Sequence, residues 1–185
     1  DAFVSCAGLV TEGEGFVRLV DTLVSALESL PAGHRPVAMF LAGAALLPLD
    51  ASGRCGVNLP KVRDTYWPHR QNHARLQRSD LDWRLLCPGP MVDGPPVGPD
   101  RLRVTHDSLP APLPGFARLL PGPLVLPLFA LKIPEMIVPY ADAASVILAN
   151  LQPAGAASRK RIGIALPVGM KGRKEQWSAR PANAA

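Results

Sequence analysis

"SDLDWRLLCPGPMVDGPP", residues Ser79 to Pro96, is the stretch whose reading decides the fold. A polar start leads into a short run from Trp83 to Cys87, apolar except for Arg84. A run of that length, closed by Pro and Gly, predicts a strand covered on both faces. Pro88, Gly89 and Pro90 follow it directly. Such punctuation either ends an element or shapes a loop that another group approaches closely.

Working outward, three more segments read the same way. They are "DAFVSCAG" (Asp1 to Gly8), "PVAMFLAGAALL" (Pro36 to Leu47, ending as a strand near Ala42 and Gly43) and "RKRIGIALP" (Arg159 to Pro167). Helical segments lie between them. Phe16, Val20, Leu23, Leu27 and Leu30 recur at spacings of four and three, the apolar stripe of an amphipathic helix. Thr11 with Glu14 resembles a capping box, and Pro31 to Gly33 supply the stop. A second helix is predicted over His69 to Ser79, with Tyr66 just before it or within it. A third runs over Ala141 to Pro153.

Positions 50–60 read as loop. Residues 93–139 read as irregular, with one short hairpin around Asp100 to Pro110. Strands that alternate with helices and are continuously apolar predict an α/β fold with a largely parallel, covered sheet.

The totals bound the function. The chain has 185 residues, 48% of them hydrophobic and 19% charged, which suits one globular domain. Aromatics at 5% leave too few rings to stack nucleic-acid bases, so no nucleic-acid partner is expected. Cys6, Cys55 and Cys87 are odd in number and widely spaced, which predicts free thiols and a cytoplasmic location. The run from Arg118 to Tyr140 is long and apolar. Its five prolines, with Lys132 and Glu135, predict a buried or substrate-covering loop instead of a membrane span.

The net charge of +5 is uneven. From Arg159 onward seven basic residues face one acid, Glu175, a local +6 that leaves −1 for the rest. The expected organisation is therefore one α/β domain over residues 1–170 and a basic tail over 171–185.

Ligands of parallel sheets bind beyond the carboxyl ends of the strands. Small or turn-forming residues stand at three such ends: Ala7 and Gly8, Ala42 and Gly43, and Pro88 to Pro90. Together they predict a cleft whose wall is backbone. The partial match Gly13-x-Gly15 lacks a third glycine, and Glu12 and Glu14 would repel a pyrophosphate there. His69 and His73 are four apart but have no third ligand near them in sequence, so no metal is expected. Tyr66 and His69 are the better couple, a phenol and an imidazole able to reach the cleft as proton donors.

These residues resemble a family. "LQRSDLDWRLLCPGPMVDGPP" (Leu76 to Pro96) is similar to the signature near the sixth strand of atypical short-chain dehydrogenases/reductases. These are NAD(P)H-binding proteins related to NmrA-type sensors and flavin reductases. The matching positions are Ser79, Asp82, Trp83, Pro88 and Gly89. "PVAMFLAGAALL" resembles the family's fifth strand, "DAFVSCAG" its fourth and "RKRIGIAL" its closing strand.

The resemblance implies a Rossmann-like parallel sheet that begins at the fourth strand and is incomplete in its N-terminal half. Its first strand would be covered by a preceding segment or a partner chain. It implies NADP or NAD as cofactor, with Ala7 and Gly8 near the adenosine side and Ala42 and Gly43 near the nicotinamide ribose. Pro88, Gly89 and Pro90 would flank the nicotinamide ring, and Met91 would face the substrate, a small carbonyl or flavin-like molecule. His69 stands where many relatives carry an active-site Lys. The expected activity is that of an NAD(P)H-dependent oxidoreductase or epimerase-like protein. The alternatives are a non-catalytic NAD(P)-binding regulatory module and a degenerate fragment that binds no nucleotide.

Overall fold

The run that opened the reading, Trp83 to Cys87, sits in the middle of a parallel sheet and is buried at all five positions. The structure is a computed structural model that describes residues 1–8 and 10–173. In chain order the described elements are β1 (Ala2–Ser5), α1 (Glu14–Glu28), β2 (Val37–Leu41), α2 (Val62–Gln77) and β3 (Trp83–Cys87). There follow β4 (Met91–Val92), β5 (Arg103–His106), α3 (Gly122–Lys132), β6 (Val138–Pro139), α4 (Tyr140–Ala149) and β7 (Lys160–Ala165).

The main sheet has the order β1-β2-β3-β7-β5. The first four strands run parallel, with Phe3 opposite Ala38, Phe40 opposite Leu85 and Leu86 opposite Ile162. The fold is thus α/β with a mostly parallel central sheet, as the unbroken apolar strands predict.

Alternate side chains of the central strands feed two cores. Phe40, Trp83, Leu85 and Cys87 pack with Phe16, Val20 and Val24 of α1. Met39, Leu86, Ile162 and Ile164 pack with Ala143 and Val146 of α4. Helices on both faces explain why these strands are apolar at successive positions. β1 differs: its residues alternate between exposed and half-buried, and among the described residues it pairs only with β2.

The signature residues before the cleft are structural. The Ser79 hydroxyl donates to the Leu76 carbonyl at 2.7 Å at the end of α2. Asp82 accepts from Ser158 Oγ at 2.6 Å and from the Ala154 amide at 2.9 Å, tying β3 to the turn that enters β7. Arg84 is fully buried, and its guanidinium is paired with Asp82 at 3.0 Å and donates to the Gln152 carbonyl at 2.5 Å. A buried cation is tolerable only with such partners. Burial raises the Asp82 pKa, but the Ser158, Ala154 and Arg84 contacts outweigh it and hold the carboxyl below its ordinary value.

Several local expectations change. α2 begins at Val62, seven residues before the predicted start, and carries Pro68 inside it. Proline breaks one helical hydrogen bond, so the sequence favours a start after it, yet the packed face of α2 overrides that cost. Within the segment predicted to be irregular, Gly122–Lys132 forms α3. Pro123 falls in the first turn, where a missing N–H costs nothing, and only Pro127 interrupts the interior. The strand predicted as half of a local hairpin is β5, but its partner is β7, antiparallel, with Thr105 opposite Gly163.

Lys160 and Arg161 belong to β7, and Arg159 ends the turn that enters it. Arg161 pairs with Asp107 at 2.9 Å and donates to the Leu46 carbonyl at 3.0 Å. The predicted basic tail lies outside the described residues from position 174 onward. Among the described residues no helix is long and apolar enough to cross a membrane.

Candidate functional site

The carboxyl ends of β1, β2 and β3 open onto a cleft of about 470 Å³. Gly8 follows β1, Ala42 to Ala45 follow β2, and Pro88 to Met91 follow β3; all of these line it. α2 contributes Val62, Tyr66 and His69, at helix spacings of four and three that place them on one face. α3 contributes Leu126, Phe129 and Ala130, and the turn after it Ile133 and Met136.

Nine of the ten residues expected from sequence therefore meet in one cavity: Gly8, Ala42, Gly43, Tyr66, His69, Pro88, Gly89, Pro90 and Met91. Ala7 is half-buried and packs against the main core instead of lining the cavity.

The Pro-Gly-Pro corner is a junction. The Pro88 carbonyl accepts from the Ala44 amide at 2.7 Å, joining the two strand-end turns that make the wall. The Pro90 carbonyl accepts from the Val138 amide at 3.2 Å, where β4 and β6 pair in parallel with Met91 opposite Val138. At Gly89 a Cβ would stand 2.5 Å from the Met136 carbonyl oxygen. Only glycine lets the segment after α3 close against the wall at this point.

Among the described residues the polar side chains of the cleft are two. Tyr66 and His69 stack with ring centroids 6.0 Å apart at 26°, and the Phe16 ring meets His69 edge-on at 5.6 Å and 88°. His69 is 4% exposed. Burial holds its pKa down to about 4, so the imidazole is neutral at pH 7. Gly43 faces both rings: a Cβ there would lie 3.6 Å from Tyr66 Cε1 and from His69 Nε2. The removal of that Cβ leaves a flat approach to the phenol and imidazole edges.

His69 Nδ1 is buried without a hydrogen-bond partner, and so are both amide atoms of Asn72, three residues on along α2. Asn72 was missed in the sequence because a single Asn in a polar helix carries no spacing signal. His73 does not join His69; burial, then Arg161, holds its pKa down to about 4, and its ring packs edge-on to Trp83 at 5.6 Å. Among the described residues no three His, Cys, Asp or Glu are grouped to hold a metal.

Cys6, Cys55 and Cys87 are free. Cys87 is fully buried, and burial raises its thiol pKa, which leaves it inert packing. The wall residues of α3 and of the turn after it were not singled out, although the Arg118 to Tyr140 run was read as a buried or substrate-covering loop. Leu126, Phe129, Ala130 and Ile133 recur at three, one and three, a helix face hidden by the apolar residues and prolines around it.

No family model and no curated protein matches this chain. Solved structures do. A candidate NADH-flavin reductase from Streptococcus pneumoniae superposes with a TM-score of 0.62 at 16% identity, covering 90% of this chain and 71% of that one. A Rossmann-fold NAD(P)-binding family protein from Shigella flexneri gives 0.53 at 16% identity, covering 94% and 64%. A short-chain dehydrogenase/reductase from Veillonella parvula, solved with NADP, gives 0.51 at 15% identity, covering 89% and 63%. This chain thus spans about two thirds of the length of the proteins it resembles. At these identities the likeness is one of architecture: the chain has the Rossmann fold.

Proposed function

We propose that the cleft is the nicotinamide and substrate end of an NAD(P)-dependent oxidoreductase site of the atypical short-chain dehydrogenase/reductase type. The observation that carries this reading is the convergence of the three strand-end turns with Tyr66 and His69 in one cavity. In parallel sheets that is where dinucleotides lie. A bound nicotinamide would supply or accept a hydride. This chain's residues would hold it between backbone walls at Ala42, Gly43 and Pro88 to Pro90, with Tyr66 presenting the proton-donating hydroxyl.

The fit to a dinucleotide is partial. The described wall suits a flat, neutral ring and its ribose, because backbone and small side chains make it. Among the described residues no Lys or Arg lines the cavity, and Glu12 and Glu14 stand at the start of α1. A pyrophosphate therefore finds no cation among the lining residues. In this reading the phosphates would lie beyond the described wall, on the side of β1, which among the described residues pairs only with β2.

A second reading is a non-catalytic NAD(P)-binding module. One observation favours it: His69 occupies the Lys position of the resembling family but is neutral, so no cation adjoins Tyr66 to stabilise a phenolate.

Tyr66→Phe separates the two readings. As an oxidoreductase, the variant retains cofactor binding and loses at least about a hundredfold in turnover of a carbonyl substrate, the usual scale of a lost proton donor. Unchanged turnover would overturn the role given to Tyr66. Cofactor binding by a native chain that turns over none of a carbonyl panel would support the module.

A further inference from the structure

The charge inventory of the cleft reaches further than its general purpose. Among the described residues that line it, none is Asp, Glu, Lys or Arg. Its hydroxyl and imidazole come from Tyr66 and His69 alone, and the imidazole is neutral. The charged residues nearest in sequence to the α3 wall are committed to one another. Lys132 pairs with Glu135 at 2.8 Å, and the second Glu135 oxygen pairs with Arg103 at 2.7 Å.

Lys61 precedes Val62 at the start of α2, with an exposed side chain outside the lining. The remaining wall divides by size. Ala42, Gly43, Ala44 and Ala45 offer a shallow surface, whereas Leu126, Phe129, Ile133 and Met136 offer a deep apolar one.

We infer that the molecule accepted beside Tyr66 is a flat, uncharged aromatic or otherwise apolar compound, and that this cleft excludes carboxylates and phosphates. The inference rests on reading this cavity as the substrate end of the site. The physical basis is desolvation. An anion placed among Leu126, Phe129 and Ile133 loses its water and gains no cation, whereas a neutral ring loses little and gains apolar contact. Selectivity is thus set by α3 and the turn after it, which supply Leu126, Phe129, Ile133 and Met136 to the wall.

The test uses a pair of probes of one shape, 2-naphthamide and 2-naphthoate, titrated calorimetrically into the full chain. The expected result is binding of the amide at least about tenfold tighter than the carboxylate, the least that an unpaired buried charge costs. Ala130 lines the cleft yet is exposed to solvent, so Ala130→Lys places a cation at the wall without disturbing the core. In that variant the preference narrows or reverses, because the carboxylate gains a partner. Leu148→Lys on α4, 69% exposed and outside the cleft lining, leaves the preference unchanged.

Equal or tighter binding of the carboxylate by the native chain overturns the inference. So does binding of neither probe, or a preference that Ala130→Lys leaves untouched. A parallel NADPH titration separates the two readings. Amide preference without NADPH binding sinks the cofactor reading alone, and NADPH binding without amide preference sinks this one alone.

Discussion

Gly43 Cα faces the edges of Tyr66 and His69 so closely that a Cβ would lie 3.6 Å from each ring, ordinary contact distance. The position therefore controls the room left beside the two polar groups of the cleft. The backbone at Gly43 is extended, with φ −132° and ψ 155°, so a larger residue fits without strain. Gly43→Val is expected to change stability by less than about 1 kcal/mol. The same substitution fills the approach to Tyr66 and should weaken ligand binding at least about tenfold, as a buried clash of a few methyl groups does. Urea unfolding and ligand titration of the variant measure both effects.

Gly89 is the opposite case. A Cβ there would stand 2.5 Å from the Met136 carbonyl oxygen and 2.9 Å from Met136 Cβ. Backbone cannot yield as a side-chain tip does. Gly89→Ala is expected to destabilise the fold by about 2–3 kcal/mol, in the range of overpacked cores. Equilibrium unfolding midpoints report the loss, and a shift under about 0.5 kcal/mol would show that the junction is looser than described.

Asp142 is fully buried in the first turn of α4 and accepts the Val97 and Gly98 amides at 2.8 and 3.0 Å. Removing its carboxylate leaves two backbone N–H groups of the 93–102 segment unpaired. Asp142→Ala should cost about 2–4 kcal/mol, the scale of broken buried hydrogen bonds to a charged group. Hydrogen exchange at Val97 and Gly98 should accelerate in proportion.

The pH dependence follows from two imidazoles held down to about 4 by burial, His73 and the more deeply buried His69. For His69 the folded pKa of about 4 lies below the ordinary 6.5, so below pH 6.5 the unfolded chain binds a proton that the folded chain refuses. Stability then falls as pH drops from about 6.5 to about 4, by about 3 kcal/mol from this residue, and levels off below. Glu28, Asp50, Asp82 and Glu135 have lowered pKa values, so the stability they supply is lost in a more acidic window, below their ordinary values. His69→Gln should remove about half of the fall in the upper window, His73 supplying the rest, and leave the lower window unchanged.

Much of this was legible in the sequence, for reasons specific to each element. Trp83 to Cys87 could only be a covered strand, and it lies at the sheet centre. Gly8, Gly43 and Gly89 marked the strand ends that meet in one cavity. α3 was not legible, because Pro121, Pro123 and Pro127 read as breakers although two of them sit at its N-cap and first turn, where proline is tolerated. α2 was read too short as well, and Pro68 lies inside it.

The partner of β5 was not legible either, since pairing with β7 joins residues far apart in the chain and leaves no local trace. Asp82 was legible only as a position of the family signature, and its contacts, with those of Arg84, hold β3 to the turn before β7.

The central claim is that a nicotinamide ring lies against Gly43 and the Pro88 to Pro90 corner. Saturation-transfer NMR with NADPH and NADH tests it most directly, because it tells which end of the cofactor touches the protein even at millimolar affinity, about −4 kcal/mol. The account predicts transfer strongest at the nicotinamide protons, weaker at the adenine protons, and lost in Gly43→Val. Absence of transfer to the folded native chain, or transfer led by adenine and unaffected by Gly43→Val, would contradict it.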